Sequence, residues 1–150
     1  MRKRSVIILL VVLAIAVAAL YGWNEFNRTN DSLVNKEEDY AVNAETLLNE
    51  FETSDSAAEK KYLGKLLLVN GSIGKIEIDD RNDYTIVLGK PGSLSGIRCA
   101  IDTTFRDEAA ELRQGEVITI KGIVTGFQKD ETGLLGSDVI LNRAVLAQRK

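Results

Sequence analysis

Three stretches of different hydrophobic period follow one another along this chain. Residues 5–23 are uncharged, with Val, Ile, Leu or Ala at nearly every position. Nineteen helical residues at about 1.5 Å rise span roughly 28 Å, close to the hydrocarbon thickness of a bilayer. Residues 24–38 are polar and aperiodic, the pattern of a tether. From Asp39 the pattern turns helical: Tyr40, Ala44, Leu47, Leu48 and Phe51 fall on one face of a 3.6-residue period. Thr53-Ser54-Asp55-Ser56 interrupts the stripe. Ser56 with Glu59 then forms a capping-box pattern, which predicts a second short helix ending near Tyr62.

Beyond Gly64 the period shortens to two. Residues 65–78 are too long for one flat strand, and Gly71 and Gly74 place a bend or bulge within it. Residues 79–83 form a turn, and 84–88 alternate Tyr84, Ile86 and Leu88 against Thr85 and Val87. Residues 89–93 open a loop, and a third strand follows over 97–101. Residues 104–112 read as a short helix closed by Arg113-Gln114-Gly115. A glycine-interrupted strand over 116–127, a loop over 128–137 and a last strand over 138–147 complete the order βββ-α-ββ.

Charge gives the first stretch its meaning. Arg2-Lys3-Arg4 precedes the apolar run, so a retained span would leave the N-terminus cytoplasmic and residues 24–150 outside. Ala16-Val17-Ala18 also offers the small residues of a signal-peptidase site, which makes cleavage the rival reading. The run continues past that point to Tyr21 and Trp23, aromatics suited to the interface of a helix that stays in the bilayer, and favours the anchor. The expected organisation is therefore an anchor over 1–23, a tether over 24–38 and a domain over 39–150. Residues 24–150 are exported on either reading, and the anchor would hold them at the cell membrane on its extracytoplasmic side.

Three of the 19 basic residues precede the span and none of the 22 acidic ones do, so residues 24–150 carry a net charge of −6. Nucleic-acid modules draw most of their affinity from phosphate neutralisation, so this balance disfavours nucleic acid as a partner. The chain has no histidine, which removes Ser-His-Asp and Cys-His catalysis and the usual His-containing zinc sites. Its one cysteine, Cys99, lies on the face shared by Ile97 and Ile101, the place of a buried and inert thiol. Asp79, Asp80 and Asp83 lack EF-hand spacing and read as a solvated turn. The residues 89–93 lack the spacing of a phosphate loop. No enzyme activity, cofactor or metal is expected.

Five strands with a helix between the third and fourth is the order of the OB-fold, a small Greek-key barrel. The expected architecture is therefore all-β with added helices: a five-stranded OB-fold barrel preceded by an amphipathic helical segment and an N-terminal transmembrane helix. The chain also resembles the tRNA_anti-like family of exported and membrane-anchored bacterial OB-fold proteins. The features that carry the likeness are Tyr62-Leu63-Gly64-Lys65, Val69-Asn70-Gly71-Ser72-Ile73, Ile97-Arg98-Cys99-Ala100-Ile101, Leu112-Arg113-Gln114-Gly115-Glu116-Val117, Ile120-Lys121-Gly122 and Asp138-Val139-Ile140-Leu141. Members often carry a second cysteine in the last strand, and this chain has none there. The resemblance implies a fold and an envelope address, not tRNA binding.

An OB ligand face lies mainly on the second and third strands, rimmed by loops. Alternation turns Thr85, Val87, Arg98 and Ala100 outward there, with Lys75 beside them; the expected ligand-binding residues are Lys75, Thr85, Val87, Arg98 and Lys121. No aromatic points outward for base stacking. The function expected is a membrane-anchored extracytoplasmic binding module for an envelope protein, glycan or small ligand, with nucleic-acid binding as the alternative.

Overall fold

A computed structural model describes residues 33–132 and 134–147. The anchor expected over 1–23, and the tether as far as residue 32, lie outside the described residues. Among the described residues no helix is long and apolar enough to cross a membrane.

The segment in front of the barrel departs from its pattern at the start. Residues Tyr40–Asn43 form a strand, β1, where the apolar stripe predicted helix. β1 pairs in parallel with the first half of a long strand, β2 (Leu66–Ile78), Tyr40 facing Leu67 and Asn43 facing Asn70. The opposite edge of that half is taken by another strand, which leaves this edge open for β1 to fill. Asn43 then caps helix α1 (Ala44–Thr53), its side chain accepting from the Glu45 amide at 2.9 Å. The helix buries Ala44, Leu47 and Phe51, with Leu48 partly buried against the same core. Tyr40 is left half-exposed, its ring edge-on to Tyr62 at 5.2 Å.

Helix α2 (Asp55–Tyr62) starts ahead of the predicted capping box. Ser54 takes the cap position without a side-chain bond, and the Ser56 amide donates to Asp55 Oδ1 at 2.7 Å. Tyr62 is buried beneath it and stacks obliquely on Phe51, which in turn meets Phe127 at 5.1 Å. These rings fasten the helical pair to the barrel.

The barrel itself follows the expected order. β2 pairs through Leu66–Ser72 with β5 (Val117–Gln128), then through Ile73–Ile78 with β3 (Tyr84–Leu88), with a register shift between Ile73 and Lys75. β3 runs antiparallel to β4 (Gly96–Ile101), β4 parallel to β6 (Asp138–Ala147), and β6 antiparallel to β5. The pairing of β5 with β2 closes five strands into a barrel. Between β4 and β5 lie a 3-10 turn (Thr103–Phe105) and helix α3 (Arg106–Ala110), together covering most of the predicted 104–112 helix.

Inward positions alternate along β3, along most of β4 and along stretches of β2, β5 and β6. Val69, Ile73, Ile86, Leu88, Ile97, Cys99, Ile120, Val124, Val139 and Leu141 are fully buried. Burial pushes the Cys99 thiol up to about 12, which leaves no reactive thiolate near neutral pH. The described end of the tether also belongs to this packing. Leu33 is buried against Leu66 and Val145, and Asp39 accepts from the Leu66 amide at 2.8 Å.

The burial of α1 sets its expected energetics. Phe51→Ala should lower the unfolding free energy by ~3–5 kcal/mol, and the less buried Leu48→Ala by about 2 kcal/mol. Urea denaturation followed by far-UV circular dichroism measures both. Near-neutral effects at both positions would place the stripe outside the core.

Candidate functional site

The outward surface of β2, β3 and β4 is built by the same alternation that fills the core. Register places Lys75 opposite Val87 and Glu77 opposite Thr85, while Val87 faces Arg98 and Thr85 faces Ala100. Four of the five expected residues (Lys75, Thr85, Val87 and Arg98) thus meet on one face. Thr85, Val87 and Arg98 are partly exposed and Lys75 is exposed. Tyr84 packs against the core, as the alternation predicts, so it offers no ring to this face.

Two carboxylates that the sequence reading left out set the electrostatics. Lys75 Nζ donates to Glu77 Oε1 at 2.8 Å, and the Arg98 guanidinium donates to the other oxygen of Glu77. Arg98 also lies 3.6 Å from Asp138 Oδ2 on β6. The result is a chain of alternating sign, Lys75–Glu77–Arg98–Asp138, across four strands. The hydrogen bond from Lys75, with that from Arg98, holds the Glu77 carboxyl below the usual carboxylate range despite partial desolvation. Asp138 is deeper, and there burial outweighs the attraction of Arg98 and raises its pKa. Both cations on the face already have counter-charges within it.

Lys121 does not join this group. It lies on β5, 8% exposed, with Nζ donating to the Lys36 carbonyl at 2.7 Å and 3.1 Å from Glu38 Oε2. Its described contacts are with the chain segment entering the domain, which it pins to the barrel wall. The Asp79–Asp83 cluster is likewise internal architecture. Asp79 Oδ1 accepts from the amides of Arg81 and Asp83, both at 2.9 Å, and Asp83 accepts from Arg106 at 2.6 Å. Among the described residues no three potential ligands cluster to hold a metal ion.

Two loops rim the face at one end. The 89–95 loop and the 129–137 loop are joined by the Ser137 amide donating to Ser95 Oγ at 2.9 Å and the Gly96 amide to the Ser137 carbonyl at 3.2 Å. Gly96 also donates to Asp138 Oδ1 at 3.1 Å, which ties the rim to the charged chain. Gly136 has φ of +81°, and a Cβ there would fall 2.2 Å from the Leu94 carbonyl carbon. Only glycine allows this approach.

Glu77 gives the face a measurable pH signature. Its folded-state pKa lies below the ordinary 4.5, so its stabilisation is complete above that value and lost as pH falls through the folded one. Glu77→Gln should therefore cost about 0.5–1.5 kcal/mol at pH 7, with the gap to the parent protein closing in acid. Denaturant midpoints across pH measure it; a gap unchanged to about pH 3 would mean the carboxylate is not engaged.

Comparison with known proteins places this geometry in a family. Residues 1–137 match the tRNA_anti-like family, a range that stops just before β6. The fold is similar to that of a protein from Klebsiella pneumoniae subsp. pneumoniae MGH 78578 described as a candidate nucleic acid-binding lipoprotein. That likeness has a TM-score of 0.54 and 16% identity, covering 81% of this chain and 100% of that one. An OBody bound to hen egg-white lysozyme is similar at a TM-score of 0.43 and 14% identity, over 60% of this chain and 88% of that one. A candidate aspartyl-tRNA synthetase from Leishmania major Friedlin gives a TM-score of 0.47 and 9% identity, over 90% of this chain and 26% of that one. No curated protein matches. With 137 of 150 residues matched, the chain belongs to the tRNA_anti-like family.

Proposed function

We propose that this chain is a membrane-anchored extracytoplasmic binding module, with the outward face of β2, β3 and β4 and its two rim loops as the ligand surface. One observation carries the choice of ligand class. Arg98 and Lys75, the two cations of that face, are engaged by Glu77 and Asp138. A phosphate backbone would have to displace these carboxylates and would then lie against them. A protein, glycan or small ligand that hydrogen-bonds a zwitterionic surface meets no such penalty. The net charge of −6 on residues 24–150 acts in the same direction at long range.

The address rests on the apolar run over 5–23 and the three cations before it. The module is proposed to work without catalysis. The chain has no histidine, and its one thiol is buried with a pKa pushed up to about 12. The rival reading is nucleic-acid binding, the alternative already open from the sequence; the description of the Klebsiella protein points the same way, but a 16% identity extends to the fold alone.

A short single-stranded oligonucleotide titrated against the detergent-solubilised chain, read by anisotropy, separates the two. The expected result is little binding near 0.15 M salt. Micromolar, salt-sensitive binding that is lost in Arg98→Ala and Lys75→Ala would establish the rival. Protease added to cells with a permeabilised outer layer tests the address, and protection of residues 33–147 would contradict it.

A further inference from the structure

Three leucines stand out from the rim where the fold has no use for them. Leu94 in the 89–95 loop is 63% exposed, and Leu134 and Leu135 in the 129–137 loop are 75% and 80% exposed. Single exposed leucines are ordinary, but these share one tip, since the Leu94 and Gly136 backbones touch. The tip is also hydrogen-bonded in advance. Asp130 Oδ2 accepts from the amides of Leu135 at 2.6 Å and Gly136 at 3.0 Å, and its Oδ1 from Thr132 N and Oγ1 at 2.8 and 2.6 Å. These bonds, the Thr132 hydroxyl first, hold Asp130 far below the usual carboxylate range. Amides that are already satisfied, as those of Thr132, Leu135 and Gly136 are, can be buried without the cost of stranding them.

The surrounding charge narrows what could cover the leucines. Lys129 pairs with Asp55 at 3.3 Å and Lys90 with Glu45 at 3.7 Å. Asp130 and Glu131 have no basic side chain against them among the described residues, so the tip is apolar with an acidic collar. An anionic lipid surface would repel it. A second copy would bring two acidic collars together, a like-charge juxtaposition that disfavours it. The Arg98–Asp138 end of the face adjoins the tip through Gly96 and Ser137, and can extend a contact with a different protein.

We propose that Leu94, Leu134 and Leu135 form a docking tip for a partner protein that offers an apolar cleft with a basic rim. The proposal deepens the binding-module reading and rests on it.

The test uses the full chain in its own cells, with a photo-crosslinking amino acid at Leu134 or Leu135 and, as controls, at the exposed Glu52 or Asp80. The expected result is one discrete protein adduct from both tip positions and none from the controls. Leu94→Glu and Glu131→Lys, both at surface positions, should each reduce it about tenfold, the factor expected for losing one buried leucine or reversing one complementary charge. An adduct of twice the chain mass, an adduct with the mass of a lipid, an adduct indifferent to both substitutions, or none at all would overturn the docking tip. Fractionation of the same cells separates the two failures. Recovery of the chain in the soluble fraction contradicts the anchored reading, whereas a membrane-bound chain without the substitution-sensitive adduct contradicts only the tip.

Discussion

A single strand of thirteen residues serves two partners in this barrel, and it can do so only because it bends between Gly71 and Gly74. The bend takes several backbone groups out of the regular ladder, and each must find another partner. Ser72 O accepts from the Gly89 amide at 2.9 Å, and the Ile73 amide donates to Glu116 O at 2.8 Å. Ile73 O accepts from the Gly115 amide and Gly74 O from the Gln114 side chain, both at 2.7 Å. The connection leading into β5 thus braces the bend, while the β3–β4 loop braces it from the other side. Gly71 also lets α1 approach, since a Cβ there would lie 2.7 Å from the Ala44 Cβ.

The electrostatics of the candidate face descend from that bend. It brings the second half of β2 beside β3, so that Lys75 and Glu77 reach the row where Arg98 stands on β4. The parallel pairing of β4 with β6 then adds Asp138 from the far edge. Every member of the Lys75–Glu77–Arg98–Asp138 chain keeps some contact with solvent, from 67% side-chain exposure at Lys75 to 18% at Asp138, so each pair is individually modest. Beyond that modest stabilisation, a surface that answers its own charges presents no excess of either sign to a polyanion. The exposed leucines of the rim next to it are the apolar counterpart of that charged row.

Much of the barrel was legible because a period of two survives in β3 and in stretches of the other barrel strands. Tyr84, Ile86 and Leu88 opposed to Thr85 and Val87 predicted both the core and the face, and the glycines of β2 predicted its bend. What failed to show was non-local. Tyr40 and Ala44 keep helical spacing, yet residues 40–43 form β1, because the partner that decides their conformation is an open edge of β2 more than twenty residues away. Glu77 was within reach of the same alternation that singled out Lys75, two positions earlier. Its engagement with Arg98 required the registers of two strand pairs, and that of Asp138 required the parallel pairing. Lys121 was expected at the ligand face and instead lies buried on β5. It is covered by residues 36–38, an aperiodic stretch that carried no packing signal.

The proposed ligand face depends on the coupling of its cations to its own carboxylates. A double-mutant cycle of Glu77→Gln and Arg98→Met, with unfolding free energies from urea denaturation near neutral pH, measures that coupling directly. The predicted interaction energy is about 1 kcal/mol, with the double variant losing less than the two single variants together. Additivity to within ~0.3 kcal/mol would contradict that coupling and leave Arg98 free to receive an anionic ligand.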